Sequence, residues 1–301
     1  MKKDMENVEN KQIEVKKKRQ LTKCQLVEQS IIKTYRKTIW NPFIKACQNY
    51  ELIKEGDKIA VCISGGKDSM LLAKLMQELK KHIEVNFSLE FIVMDPGYKK
   101  ENRERIEENA KILEVPIHIF ESDIFDVTAK EENNPCYLCA RMRRGFLYKK
   151  AQELGCNKIA LGHHFNDVIE TTLLGMFYGS QLQGMMPKLH SLNFPGMELI
   201  RPMYCVKEKA IINWMNANEL TFIQCACRLT EEIAKFTDGV GSSKRQEVKK
   251  LIRELKKTNP EIEDHIFCSL HSVNIDTFCG YKENGVLHSF LEFYDSKKGN
   301  E

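Results

Sequence analysis

The stretch Lys58 to Ser69, KIAVCISGGKDS, narrows the folds open to this chain more than any other. Lys58 to Ser64 is a short apolar run of strand character, and helical spacing follows at Met70, Leu71, Leu75 and Leu79. A strand that ends in two glycines and passes straight into a helix opens a strand–helix–strand unit. Gly65 and Gly66 let the backbone approach an anion closely. The helix behind them offers unpaired N–H groups and the positive end of its dipole. Lys67 adds a positive charge, and Ser64 and Ser69 add hydroxyl donors. The segment therefore reads as a phosphate-binding loop, although its spacing is neither GxxxxGK[ST] nor GxGxxG.

The rest of the chain repeats the alternation. Leu89 to Asp95, Ile117 to Glu121 and Lys158 to His163 read as buried strands; residues 100–114, 139–154 and 166–178 read as helices. Continuous apolar strands alternating with helices predict an α/β fold with a doubly wound parallel sheet. Residues 26–50 show helical spacing, with Ile31, Ile32, Tyr35, Ile39, Phe43 and Ile44 on one side, and the tail from about 206 reads as mostly helical. The expected organisation is a basic flexible arm over 1–24, a helical segment over 25–55, the α/β domain over 56–225 and a C-terminal helical segment over 226–301. At 301 residues the chain has ample length for a buried core. No apolar run approaches the ~18 residues of a membrane span. The polar N-terminus lacks the apolar stretch of a secretory signal. The expected location is cytoplasmic, with no membrane partner.

Two further groups carry chemistry. His163-His164 ends the fourth strand and is followed by Asn166, Asp167 and Glu170, which places polar groups at the carboxyl edge of the sheet, where open α/β sheets bind ligands. Cys136-Tyr137-Leu138-Cys139 is a CxxC at a loop-to-helix junction, with Cys225-Ala226-Cys227 far downstream. There are eleven cysteines, and in a reducing compartment they read as metal ligands, reactive thiols or ordinary packing. Cys62 reads as core, and Cys24, Cys47, Cys156, Cys205, Cys268 and Cys279 as structural. Three ligands rather than four suit an iron–sulfur cluster with one open iron. Zinc and a redox dithiol remain open from spacing alone. The net charge is only +4, yet the basic residues cluster. Residues 141–150 hold Arg141, Arg143, Arg144, Lys149 and Lys150 with no acid. Residues 244–257 hold Lys244, Arg245, Lys249, Lys250, Arg253, Lys256 and Lys257. Val248, Leu251, Ile252 and Leu255 give that second segment a packing face opposite a basic one suited to nucleic-acid phosphates.

With these motifs in view, the chain resembles the TtcA family of ATP-dependent tRNA 2-thiocytidine synthetases, within the PP-loop ATP pyrophosphatases. The resemblance rests on Glu55-Gly56-Asp57, SGGKDS, CYLCARMRRGFLY (136–148), LGHHFNDVIETTLLGMFYG (161–179), LIRPMYCVKEKAI (199–211) and KRQEVKKLIREL (244–255), and it spans roughly residues 25–275. Two positions depart from the pattern. The third-ligand block is CxC rather than CxxC, which leaves Cys225 or Cys227 as the third ligand. Asn166 stands where an Asp is common, while Asp167 keeps the second acid.

The resemblance implies ATP bound by Ser64, Gly65, Gly66, Lys67, Asp68, Ser69, Gly162 and His163, with Mg²⁺ facing Asp68. It implies a [4Fe–4S] cluster on Cys136, Cys139 and Cys225, and Asp68, Cys139 and Asp167 as catalytic residues. Arg141, Arg143, Arg144, Lys244, Arg245 and Lys249 would contact tRNA. The implied reaction adenylates the C2 carbonyl of an anticodon-loop cytidine and replaces its oxygen with sulfur from a cysteine-desulfurase-type donor. The assembly state stays open between monomer and homodimer. The competing functions are another PP-loop tRNA enzyme, of 2-thiouridine or lysidine type, and a non-catalytic nucleotide-binding iron–sulfur sensor.

Overall fold

The structure, a computed structural model, describes residues 21–122, 124, 135–223 and 244–294. The expected arm over residues 1–20, most of the expected loop over 122–135, and Cys225 and Cys227 lie outside the described residues. So do the side chains of Pro135, Cys136, Tyr137 and Ala140.

The chain enters through α1 (Lys23–Gln29), two π-helical turns (Ser30–Thr34 and Arg36–Trp40) and α2 (Asn41–Asn49). Thr22 and Gln25 form a capping box that fixes the start of α1. The apolar side anticipated from spacing packs inward: Ile31, Ile39 and Phe43 are fully buried, with Ile32, Tyr35 and Ile44 beside them. These residues share one core with the sheet.

The α/β unit follows as β1 (Lys58–Ile63), α3 (Lys67–His82), β2 (Ser88–Asp95), α4 (Lys100–Ile112), β3 (Ile117–Glu121), α5 (Pro135–Glu153), β4 (Lys158–Ala160), α6 (Phe165–Gly179), β5 (Lys188–His190), β6 (Glu198–Ile200) and α7 (Glu208–Ala217). The six strands run in the order β3-β2-β1-β4-β6-β5. All neighbours are parallel except the β5–β6 pair. The expected doubly wound sheet is thus present, and its order reverses between β1 and β4, the position where such sheets bind ligands.

Several boundaries differ from the sequence reading. The fourth strand stops at Ala160: Leu161 makes a last bond to Ile200 O at 3.0 Å, and from Gly162 the chain forms the loop beside the phosphate loop. Helix α5 begins at Pro135, so the CxxC lies in its first turn rather than before it. Proline is preorganised for that position. Gly155 ends the helix with φ +72°, as expected.

Beyond residue 243 the chain forms α8 (Lys244–Thr258), α9 (Ile262–Ser269), a 3-10 turn, a hairpin of β7 (Gly280–Glu283) and β8 (Val286–Ser289), and α10 (Leu291–Tyr294). The C-terminal segment is therefore not purely helical. Asn284 and Gly285, both at positive φ, form the two-residue turn that closes the hairpin. Cys268 and Cys279 are exposed, contrary to their assignment as packing residues, while Cys24, Cys62 and Cys156 are buried as expected. Among the described residues no helix is long and apolar enough to cross a membrane.

Candidate active site at the carboxyl edge of the sheet

β1 delivers Ser64 to the sheet edge, and the chain turns at Gly65 with φ +82°. A side chain there would also run into Ile106 and Ile223, so glycine is required twice over. Ser69 closes the turn. Its hydroxyl donates to Gly66 O at 3.0 Å and receives the Ser64 backbone N–H at 3.1 Å. Gly66 is the N-cap of α3, and no side chain caps that helix. Its first N–H groups are left to whatever anion lies in the loop.

β4 ends beside this loop. A Cβ on Gly162 would stand 3.1 Å from Ser69 N and 3.2 Å from Asp68 C, so the backbone after β4 packs directly on the start of α3. His164 caps α6 in a capping box with Asp167: the Asp167 carboxylate accepts from His164 N at 3.0 Å. His164 Nε2 lies 3.8 Å from Asp68 Oδ1, a buried oxygen that accepts no hydrogen bond. Burial, followed by the charge of Arg201, holds His163 well below the usual histidine range, so this half-buried ring is neutral. Its Nδ1 also has no hydrogen-bond partner.

These elements enclose a cleft of about 360 Å³ lined by Ser64, Asp68, Ser69, Gly162, His163 and Asp167 on one side. Arg143 and Arg144, from the same helix as the CxxC, line the other. A volume of that order suits a small-molecule ligand. Of the predicted site residues the structure brings these eight together, and Lys67 pairs with one of them, Asp68, at 3.1 Å. Arg141 and Lys244 are exposed outside it. Cys139 is buried in the core that includes Ile63 and Met94, two residues of the cleft wall. Among the described residues no three metal-ligating side chains converge on one point.

Arg245 and Lys249 take a position that their assignment to an RNA surface did not anticipate. Val248 and Ile252 bury the inner face of α8 against α6, while Leu251 and Leu255 stay 39% and 40% exposed. That seating turns Arg245 and Lys249 toward the cleft. Arg245 NH1 lies 3.2 Å from Asp167 Oδ1, and Lys249 Nζ lies 3.5 Å from both Glu170 and Glu208. Glu208 in turn holds Lys67 at 3.2 Å, and Lys67 also pairs with Asp68 at 3.1 Å. Glu208 was missed by sequence reasoning: it is an unremarked first-turn acid of α7, and its partner stands 141 residues away. Burial alone would raise the Glu208 carboxyl, but Lys67, His164 and Lys249 hold it below its ordinary value. For Glu170 burial wins over Lys249 and Arg245, and its carboxyl is pushed up to about 7.

An uncapped helix behind a two-glycine turn, set at the reversal point of a parallel sheet, defines a PP-loop protein, and the PP-loop domain family matches residues 34–232. Closer relatives narrow the class. The tRNA-cytidine(32) 2-sulfurtransferase of Citrifermentans bemidjiense is 34% identical over 76% of this chain and 88% of its own length. That of Geobacter sulfurreducens is 34% identical over 79% and 90%. This chain belongs to the tRNA-cytidine(32) 2-sulfurtransferase family. In fold it is similar to the U34-tRNA thiolase NcsA from Methanococcus maripaludis, solved with its [4Fe–4S] cluster. The TM-score is 0.60, at 21% identity over 77% of both chains.

Proposed function

We propose that this chain is a cytoplasmic enzyme that uses ATP to replace the C2 oxygen of an anticodon-loop cytidine in tRNA with sulfur. One observation carries the reading. A single cleft is lined both by the phosphate loop and by the arginine-rich helix that starts at the CxxC. We read this cleft as the place where nucleotide and RNA backbone meet, with the CxxC on the same helix as the two arginines.

The chain's own residues divide the work. The loop from Ser64 to Ser69 grips the phosphates through backbone N–H groups and hydroxyls. The C2 oxygen attacks the α-phosphorus, and pyrophosphate leaves toward Lys67 and the start of α3. Adenylation turns a poor oxygen leaving group into AMP, which departs when sulfur bonds to C2. Arg141, Arg143, Arg144 and Lys244 bind RNA phosphates, and unstacking the target base costs little in a loop.

Asp68 and Asp167 would hold Mg²⁺. The partnerless Asp68 Oδ1 and the hard oxygen donor set fit that cation. Bound there, Mg²⁺ would neutralise phosphate charge. Cys136, Cys139 and Cys225 would hold the [4Fe–4S] cluster. The buried Cys139 thiol, near the start of α5, suits such a soft ligand set. With one iron left open, the cluster would supply sulfur received from a cysteine-desulfurase-type donor.

Mass spectrometry of tRNA nucleosides from cells lacking this protein tests the reading. Loss of 2-thiocytidine is expected; loss of a different thionucleoside, or of none, overturns it. Anaerobically prepared Cys139→Ser protein should lose its bound iron, and an unchanged iron content would refute the ligand assignment.

A further inference from the structure

The inward face of α8 does not look like an RNA surface. Arg245 and Lys249 stand one helical turn apart and reach into the same acidic group, Asp167 and Glu170 on α6 and Glu208 on α7. Two of these carboxylates already belong to the nucleotide site. Asp167 lines the cleft, and Glu208 holds Lys67 with one oxygen and faces Lys249 with the other. Lys249 and the lysine of the phosphate loop are thus separated by a single carboxylate.

Only Arg245 NH1 is hydrogen-bonded to a carboxylate, Asp167 Oδ1, at a long 3.2 Å, while its NH2 donates to Thr171 Oγ1 at 3.2 Å; the contacts with Glu170 and Glu208 are ion pairs at 3.5 to 3.6 Å without a hydrogen bond. The distances are 3.2 to 3.6 Å, whereas a charge-assisted hydrogen bond closes to about 2.7–2.9 Å. Glu170 Oε2 is buried and accepts no hydrogen bond, although Arg245 Nε stands 3.6 Å away. The Arg245 side chain is 42% exposed and that of Lys249 is 31% exposed, so both keep room to swing. A polyphosphate carries more charge than any one carboxylate and offers bidentate acceptors to a guanidinium.

We propose that Arg245 and Lys249 are ligands of the nucleotide's triphosphate, kept beside the phosphate loop by Asp167, Glu170 and Glu208 until a nucleotide arrives. The proposal rests on the ATP-dependent reading above and assigns these two residues to ATP instead of tRNA. Asp167, Glu170 and Glu208 spread the charge of Lys67, Arg245 and Lys249 among them. With polyphosphate bound, the three cations converge on it, and Arg245 and Lys249 remain to neutralise the pyrophosphate as it leaves. The outward residues of α8, including Lys250 and Arg253, stay exposed for RNA.

Isothermal titration calorimetry of the full chain with magnesium pyrophosphate, with AMP and with an anticodon stem–loop RNA separates the alternatives. Arg245→Gln and Lys249→Met should each weaken pyrophosphate binding tenfold or more. AMP affinity and RNA affinity should hold within twofold. Lys250→Met should show the reverse, weaker RNA binding with pyrophosphate affinity intact. The Val248 and Ile252 seam is untouched in these variants, and Arg245→Lys, which keeps the charge, should recover part of the lost affinity. Unchanged pyrophosphate affinity in folded Arg245→Gln and Lys249→Met, or a loss confined to RNA, overturns the proposal. Lys67→Met tells the two readings apart: if it abolishes pyrophosphate binding while the α8 variants do not, the nucleotide site stands and this assignment falls. If the unaltered protein binds no pyrophosphate, both fall.

Discussion

Removing the Lys158 ammonium should unfold this protein far more readily while leaving its nucleotide site intact. Lys158 opens β4, and only 4% of its side chain is exposed. Its Nζ lies 2.8 Å from Asp57 Oδ2, 3.1 Å from Glu198 Oε2 and 2.9 Å from Leu52 O. In Lys158→Met the buried Asp57 keeps only the Asn157 amide and the Lys54 N–H as donors. Stranding one partner of a buried pair costs about 3–5 kcal/mol. Native stabilities are about 5–15 kcal/mol, so the loss is a large fraction of the whole and corresponds to roughly 10 °C in Tm. Glu198→Gln should cost less, since Glu198 is more exposed and leaves the Lys158–Asp57 pair in place. The acid limb should move as well. Burial would raise Asp57, but hydrogen bonds from Lys158 and Asn157 outweigh it and hold the carboxyl below its ordinary value. Its stabilising contribution is full above the ordinary aspartate pKa and is lost as pH falls through the depressed one. Without Lys158 that loss begins at higher pH. The pair lies at the amino ends of β1 and β4, roughly 20 Å of strand from the phosphate loop. Urea denaturation followed by circular dichroism, with nucleotide affinity measured on folded protein, checks the argument. A loss below about 1 kcal/mol, or an altered nucleotide affinity, would refute it.

Glu170→Gln should make the protein more stable at pH 8 by roughly 3 kcal/mol and by less than about 1 kcal/mol at pH 5. A carboxyl raised by burial contributes stability below the ordinary glutamate value and loses it as pH rises through about 7. Melting curves that run parallel across that range would contradict the shift. Gly162→Ala should lower nucleotide affinity at least tenfold, because its Cβ presses on the Asp68–Ser69 backbone. Gly155→Ala, at φ +72° with open space around it, should cost only about 1–2 kcal/mol of stability and leave affinity unchanged. Asp68→Ala should abolish AMP formation in a tRNA-dependent assay while the circular dichroism spectrum is preserved, since Asp68 is a partly exposed residue of the first turn of α3.

Much of this was legible in the residues because the relevant signals are local. The strand, the two glycines and the amphipathic helix from Lys58 to Leu79 are contiguous, so the loop and its place in the sheet could be read together. Strands β5 and β6 were not legible: three residues each, they carry no periodicity and exist through pairing. The C-terminal hairpin did have a signal in Asn284-Gly285, which the helical reading of the tail passed over. The inward turn of Arg245 and Lys249 was hidden for a different reason. A basic helix looks the same whether its cations face water or carboxylates, and those carboxylates come from α6 and α7, far away in sequence.

The strand order also has a consequence during synthesis. β1 forms its parallel pair with β4, whose residues follow it by about a hundred positions, as the Asp57–Asn157 bond records. At about 5–20 residues per second the ribosome makes the first strand wait roughly 5–20 s for that neighbour. Throughout the interval the apolar run from Ile59 to Ile63 has one edge unpaired, and Gly162 has not yet closed over the phosphate loop. The nucleotide site therefore cannot exist on a nascent chain shorter than about half the protein, and that window is when a chaperone would be most needed.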